Sequence, residues 1–261
     1  MQFEINVPYK IYLGIWNAVD LVYPPACGGC GTPGSRWCLA CTAQVEKIYP
    51  PVCNRCGRIV DSHRTCNACQ TISPQFTSIQ SWALYDGPVQ SAIQRLKYKR
   101  DIALGEQLSR NLISLLSRTN WHIELITPVP LSIARQAERG YNQAAILSIP
   151  VALGLNIPYN PAALRKVRDT RSQVGLSLDQ RRENIEGAFW ADPKPAKGKR
   201  VLVIDDVVTS GATLNECAGA LFAAGAVEVY GLTVAQAKSF RTASQQDTSD
   251  YPSENTGTYS I

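Results

Sequence analysis

Apolar residues along the chain follow two periods. The runs Ser81-Trp82-Ala83-Leu84-Tyr85, Leu125-Ile126-Thr127-Pro128-Val129, Val201-Leu202-Val203-Ile204 and Val227 to Val234 are short and mostly apolar. Continuous rather than alternating runs of that length predict strands covered on both faces, as in a parallel sheet. Between them, residues 88–118 and 142–153 carry apolar positions at helical spacing, and Thr213 to Ala224 sets Leu214, Cys217, Ala218, Leu221 and Phe222 on one face before Gly225. Glycine there suits a left-handed helix stop. Strand alternating with helix predicts βαβ units, hence a doubly wound, mostly parallel α/β domain over residues 80–238. Pro150 interrupts the second helical stretch; lacking an N–H and crowding the preceding turn, it is expected to kink or split the helix.

Three stretches break this pattern. Residues 1–23 place Ile11, Ile15, Ala18, Val19 and Val22 near helical spacing and stop at Pro24-Pro25, predicting one amphipathic helix. Residues 24–72 are rich in Cys, Gly, Pro and Arg with few apolar runs, so something other than a hydrophobic core must hold them. Residues 239–261 are almost devoid of apolar side chains and are expected to be disordered.

Nine cysteines sharpen the reading of the second stretch. Eight fall in four Cys-x-x-Cys pairs: Cys27 and Cys30, Cys38 and Cys41, Cys53 and Cys56, Cys66 and Cys69. The opening MQFEINVPYK has no basic segment leading an apolar core, and no apolar run approaches the roughly 18 residues of a membrane span. A cytoplasmic protein without a membrane span is the expectation. In that compartment thiols stay reduced, so clustered cysteines favour metal over disulfides. A two-residue spacer turns both sulfurs toward one tetrahedral ion, and eight thiolates suffice for two structural Zn²⁺ sites. Gaps of seven and nine residues within each half against eleven between halves favour sequential over interleaved pairing. A redox dithiol is the competing reading of any single pair. Cys217 stands apart on an apolar helix face and reads as a small buried hydrophobe.

The strongest chemical signal is the thirteen-residue stretch Val201 to Thr213, an apolar strand, then Asp205-Asp206, then a small polar loop opening a helix. Backbone N–H groups around Thr209, Ser210, Gly211, Ala212 and Thr213, with three hydroxyls, suit a phosphate at a helix N-terminus. Adjacent carboxylates at the end of a strand suit ribose hydroxyls or a hydrated Mg²⁺. Net charge is +5, from 26 basic against 21 acidic residues, which is weak for a dedicated nucleic-acid binder.

The stretch from Val201 resembles the phosphoribosyl pyrophosphate (PRPP) signature of type I phosphoribosyltransferases, with Ser210 where threonine is common. With Tyr23-Pro24-Pro25, Leu96-Lys97-Tyr98, Pro128-Val129-Pro130-Leu131, Arg139-Gly140-Tyr141-Asn142-Gln143, Arg171-Ser172-Gln173, Arg181-Arg182-Glu183-Asn184 and Gly187-Ala188-Phe189, the chain resembles the ComF family. That resemblance implies a zinc-ribbon module followed by a type I phosphoribosyltransferase-like sheet. It implies that PRPP is bound with Mg²⁺, with Asp205 and Asp206 as the catalytic pair on ribose and a pyrophosphate loop at Val129 and Pro130. It also implies a loop over residues 162–182, from which Arg165, Lys166, Arg168 and Arg171 would contact pyrophosphate or a nucleic-acid backbone. If the protein is catalytic, pyrophosphate is displaced from the anomeric carbon. The rival implication is non-enzymatic handling of single-stranded DNA beside other competence proteins during natural transformation.

Overall fold

The computed structural model describes residues 6–61, 65–168 and 185–238. The expected disorder of 239–261, Arg171 and most of the basic loop lie outside the described residues. The strands are β1 (Ser78–Leu84), β2 (Leu125–Pro128), β3 (Leu164–Lys166), β4 (Phe189–Ala191), β5 (Arg200–Val208) and β6 (Glu228–Gln236). The helices are α1 (Val7–Val22), α2 (Leu39–Ala43), α3 (Asn67–Ile72), α4 (Gly87–Tyr98), α5 (Leu104–Leu116), α6 (Ile133–Arg139), α7 (Gln143–Leu155), α8 (Pro193–Ala196) and α9 (Ala212–Ala223).

Four strands form a parallel sheet in the order β1-β6-β5-β2, with Val201 opposite Leu125 on one side and Val229 on the other. A parallel sheet needs both faces covered, and successive residues of β5 serve opposite layers. Val201 and Val203 pack with Leu214, Cys217 and Leu221 of α9, whereas Leu202 and Ile204 pack with Ile93 and Leu96 of α4, Leu108 of α5 and Leu147 of α7. The short β3–β4 pair is antiparallel and separate. Inside the sheet, the hydroxyls of Ser81 and Thr233 satisfy each other at 2.7 Å, and Thr233 reaches the Ala235 carbonyl at 3.1 Å.

Several local expectations change. The helical stretch 88–118 is two helices, because the chain turns at Lys99 to Ala103 with Arg100 at φ 54° and Asp101 held by Arg95 at 2.7 Å. Pro150 does not split α7, which runs through it as one element of 13 residues. The neighbouring helix packs closely against this stretch: the Ser109 hydroxyl of α5 donates to the Leu147 carbonyl at 2.9 Å, and α5 can approach because position 105 is glycine, packed against Ile146. The strand β5 continues past both aspartates to Val208, so they belong to the strand rather than to a loop beyond it.

The helix α1 also turns its faces the other way from the sequence reading. Ile11, Ile15, Val19 and Val22 are exposed, while Tyr9 is buried against the domain. Polar and aromatic anchors decide this orientation. Asn6 bonds the Leu153 carbonyl at 2.5 Å, and Arg36 lies 5.0 Å over the Trp16 ring while pairing with Asp20. Among the described residues no helix is long and apolar enough to cross a membrane.

Candidate functional site

A cavity of about 680 Å³ opens at the carboxyl ends of β2 and β5, the edge where open α/β sheets bind ligands. Three segments distant in sequence line it: Val129 to Ser132 after β2, Asp205 to Thr209 in and beyond β5, and Gly211 to Leu214 at the start of α9. Lys97, Tyr98, Arg135, Arg139, Gln143 and Lys166 also line it, with Glu138 as an acidic residue among these cations. Asp205, Asp206, Thr209, Gly211, Ala212, Thr213, Val129 and Pro130 thus share one space, while Ser210 lines a smaller neighbouring cavity.

The two aspartates are not equivalent. Asp206 is buried and forms an ion pair with Lys97 of α4. Burial alone would raise its pKa. The Lys97 charge and hydrogen bonds from Asp205, Lys97 and Gln143 outweigh that and hold Asp206 below the usual carboxylate range. Burial likewise opposes the Lys97 ammonium, but Asp206 and then Asp205 raise its pKa. Asp205 goes the opposite way, pushed well above its ordinary value by burial and by the Asp206 charge beside it. The two shifts run in opposite directions, so the negative charge of the pair is favoured on Asp206. Since the Asp206 pKa is depressed, the stability it contributes is present above its unfolded pKa and is lost as pH falls through its folded one. The raised Lys97 pKa keeps its own contribution in place until the pH rises above the ordinary lysine range.

The segment Arg139 to Gln143 supplies the other side of this network, each residue with a separate task. Arg139 lies 5.2 Å over the Tyr98 ring and donates to the Gln143 side chain at 2.7 Å. Gly140, at φ 79°, ends α6 in the left-handed conformation that glycine tolerates. The Tyr141 hydroxyl reaches the Leu96 carbonyl, one residue before Lys97. Asn142 caps α7 through Ala144 N–H at 2.8 Å and donates to the Val129 carbonyl at 2.9 Å, fixing the loop after β2. Ser132 caps α6 in turn, accepting from Arg135 N–H at 3.3 Å.

The basic residues singled out before the cavity was known divide. Lys166 lines it. Arg165 instead lies 5.7 Å over the exposed Trp190 ring, and Arg168 bonds the Glu186 carbonyl; neither lines the cavity. Sequence reading named Lys97, Arg139 and Gln143 within family-like segments but gave them no task. Arg135 had no signal at all.

The cysteines gather as Cys27, Cys30, Cys38, Cys41 and as Cys53, Cys56, Cys66, Cys69, with the four sulfurs of each set within 4.8 Å of one another. This is the sequential pairing. Burial and the neighbouring thiols push Cys41, Cys56 and Cys66 up, but in each set one sulfur is prepared for the thiolate form: Cys27 accepts from Cys38 N–H at 3.4 Å and Cys53 from Cys66 N–H at 3.3 Å. Although burial opposes it, these and neighbouring N–H groups bring Cys27 down to about 6 and Cys53 to about 7. Four soft donors at that spacing fit tetrahedral zinc.

A family model described as a double zinc ribbon domain matches residues 18–70. The DNA utilization protein YhgH of Escherichia coli O157:H7 is 32% identical over 218 residues, covering 80% of this chain and 96% of that protein. Competence protein F of Haemophilus influenzae is 34% identical over 176 residues, covering 64% of this chain and 77% of that one. Adenine phosphoribosyltransferase from Thermoanaerobacter pseudethanolicus superposes with a TM-score of 0.32 at 14% identity, covering 56% of this chain and 85% of the other. With a relative matched at this identity along nearly its whole length, and the two four-cysteine sets in place at the N-terminal side, the chain belongs to the ComF family of competence and DNA-utilization proteins.

Proposed function

We propose that the cavity binds PRPP with Mg²⁺ and, given an acceptor, displaces its pyrophosphate. The observation that carries this reading is the convergence of the 205–213 segment and the Val129–Ser132 loop on one cavity with a basic wall. In that reading the 5-phosphate takes the N-terminal turn of α9 with the Thr209 and Thr213 hydroxyls, where N–H groups and the helix dipole favour an anion. Asp205 is the residue for the ribose hydroxyls, because Asp206 is committed to Lys97. The pyrophosphate lies toward Val129 to Ser132, with Arg135, Arg139 and Lys166 in reach of the same space.

The donor set fits a metal that arrives with its ligand. One carboxylate is ion-paired with Lys97, and burial beside that charge disfavours ionisation of the other, so they form no ready oxygen cage. Mg²⁺ is commonly held by substrate phosphates, waters and one or two carboxylates. When bound it neutralises charge on the departing pyrophosphate. The chain's own contribution is electrostatic: cations near the leaving group, with Asp205 beside a sugar that becomes electron-poor as the C–O bond breaks. The bonding electrons leave with the pyrophosphate, and the acceptor's lone pair replaces them.

Two structural zinc ions at the cysteine sets, and a location in the cytoplasm, belong to the same reading. A second role, suggested by the relatives' names, is contact with single-stranded DNA in company with other competence proteins. One observation favours a specific place for that contact. Tyr98 is exposed at the cavity mouth with Arg139 over its ring, followed by exposed Lys99 and Arg100. An aromatic platform among cations suits a single strand. This moves the DNA surface away from Arg165 and Arg168, which are engaged elsewhere.

Three outcomes are expected. Saturating PRPP with Mg²⁺ raises the melting temperature, as a ligand of the native state must. Asp205→Asn loses that rise with the fold intact, whereas Asp206→Asn destabilises the fold itself by about 3 kcal/mol, since it strands Lys97 unpaired. A wild type whose melting is unmoved by PRPP contradicts the reading. Purified protein carries two zinc ions per chain by metal analysis, and chelation unfolds the 24–72 stretch, because structural zinc binding is folding free energy. Metal-free protein of unchanged stability would speak against it. Finally, Tyr98→Ala with Lys99→Ala weakens binding of single-stranded DNA and flattens its salt dependence; equal binding by wild type and variant would remove this surface from consideration.

A further inference from the structure

Gly211 opens α9 at φ 79° with no side-chain cap on the helix end. Within the turn Ala212 N–H donates to the Ser210 hydroxyl at 3.4 Å, and packing from beneath adds to that support. What lies beneath is the second cysteine set. Its knuckle turn is clamped to the segment leading into β1: Ile79 N–H donates to the Arg55 carbonyl at 2.6 Å, and the Ser78 hydroxyl to the Asn54 carbonyl at 2.7 Å. Arg55 returns to that segment through the Phe76 carbonyl at 2.8 Å and the Pro74 carbonyl. Gly57 is required in the turn, at φ 68°, because a Cβ there would sit 2.6 Å from the Ile79 carbonyl oxygen.

The clamped segment in turn bears on α9. Gln75 N–H donates to the Asn215 side chain at 2.8 Å. Phe76 is 4% exposed, and its ring lies 3.8 Å from where a Cβ on Gly211 would stand. Cys53, Cys56, Phe76, Ile79, Ala212 and Leu214 belong to one continuous buried cluster. The first cysteine set docks elsewhere, with Gly28 against Leu104, Gly29 against Pro88 and Arg95 donating to the Cys27 carbonyl at 2.8 Å. Only the second set backs the turn among the described residues.

We propose that the second ribbon is a positioning element for the phosphate loop, acting through Phe76. Metal at Cys53, Cys56, Cys66 and Cys69 fixes the knuckle, the knuckle fixes Phe76, and Phe76 holds Gly211 to Thr213 in the conformation that receives a phosphate. The inference rests on reading the cavity as a PRPP site, and it adds a direction: the ribbon governs the 5-phosphate end and leaves the pyrophosphate end, built on Val129 to Ser132, alone.

The test uses full-length protein and two probes, ribose 5-phosphate and pyrophosphate with Mg²⁺, measured by calorimetry beside zinc content. Phe76→Ala is expected to keep two zinc ions and to lose about tenfold in ribose 5-phosphate affinity, the scale of one misaligned hydrogen bond to a charged group. Its pyrophosphate affinity should be unchanged, and Phe76→Leu should recover most of the loss. Cys66→Ser should retain one zinc ion and show the same selective loss. Phe76→Ala protein that binds ribose 5-phosphate like wild type overturns the inference, as does an equal loss for both probes, which marks general damage. If wild type binds pyrophosphate and ribose 5-phosphate but Cys66→Ser is unaffected, the ribbon has no part and the cavity reading stands. Wild type that binds neither probe overturns both.

Discussion

The ion pair between Lys97 and Asp206 is the constraint around which the cavity is arranged. A pair of adjacent carboxylates on an interior strand of a parallel sheet is costly unless one is paired and the other protonated. Lys97 supplies the pairing from α4, and the burial of Asp205 beside the Asp206 charge raises its pKa. That requirement sets where α4 must lie, and Tyr141 fixes it by reaching the carbonyl of Leu96. It also sets where α7 must start, since Gln143 bonds Asp206 and Asn142 ties the same turn to Val129. The loops on either side of the cavity are thus joined through one buried polar group.

The cysteine sets solve a different problem. Residues 24–72 have too little apolar surface for a core of their own, so the two four-cysteine sets stand in place of one and the domain's core extends outward to meet them. The two sets meet different layers: Cys53 and Cys56 join the buried cluster beneath α9, and Trp37 and Val45 near the first set pack against the cluster of α4, α5 and α7. The ribbons therefore flank the sheet rather than hang from it.

Much of the arrangement was legible in the sequence because it is written in local spacing. The four buried strands follow from unbroken apolar runs, the pairing of the cysteines from unequal gaps, and the acid pair before a Thr–Ser–Gly turn from its own composition. What was hidden is long-range or compensated. Lys97 on an amphipathic helix has the pattern of a solvated lysine, and its partner stands more than a hundred positions away. Pro150 has the local pattern of a helix break, yet α7 runs through it as one element packed against α5. The apolar stripe from Ile11 to Val22 has the pattern of a core face, yet the anchors that turn it outward, Leu153 and Arg36, lie outside the helix. The break at Arg100 carries no proline or glycine to announce it.

The central claim is that one cavity holds the two ends of PRPP on opposite loops, with Asp205 between them. A crystal structure with PRPP and Mg²⁺ bound tests it most directly. The account expects the 5-phosphate on the Thr209–Thr213 turn, the ribose hydroxyls on Asp205, the Lys97–Asp206 pair intact, and the pyrophosphate beside Val129 to Ser132. PRPP bound outside this cavity, or with its two ends reversed, would contradict it.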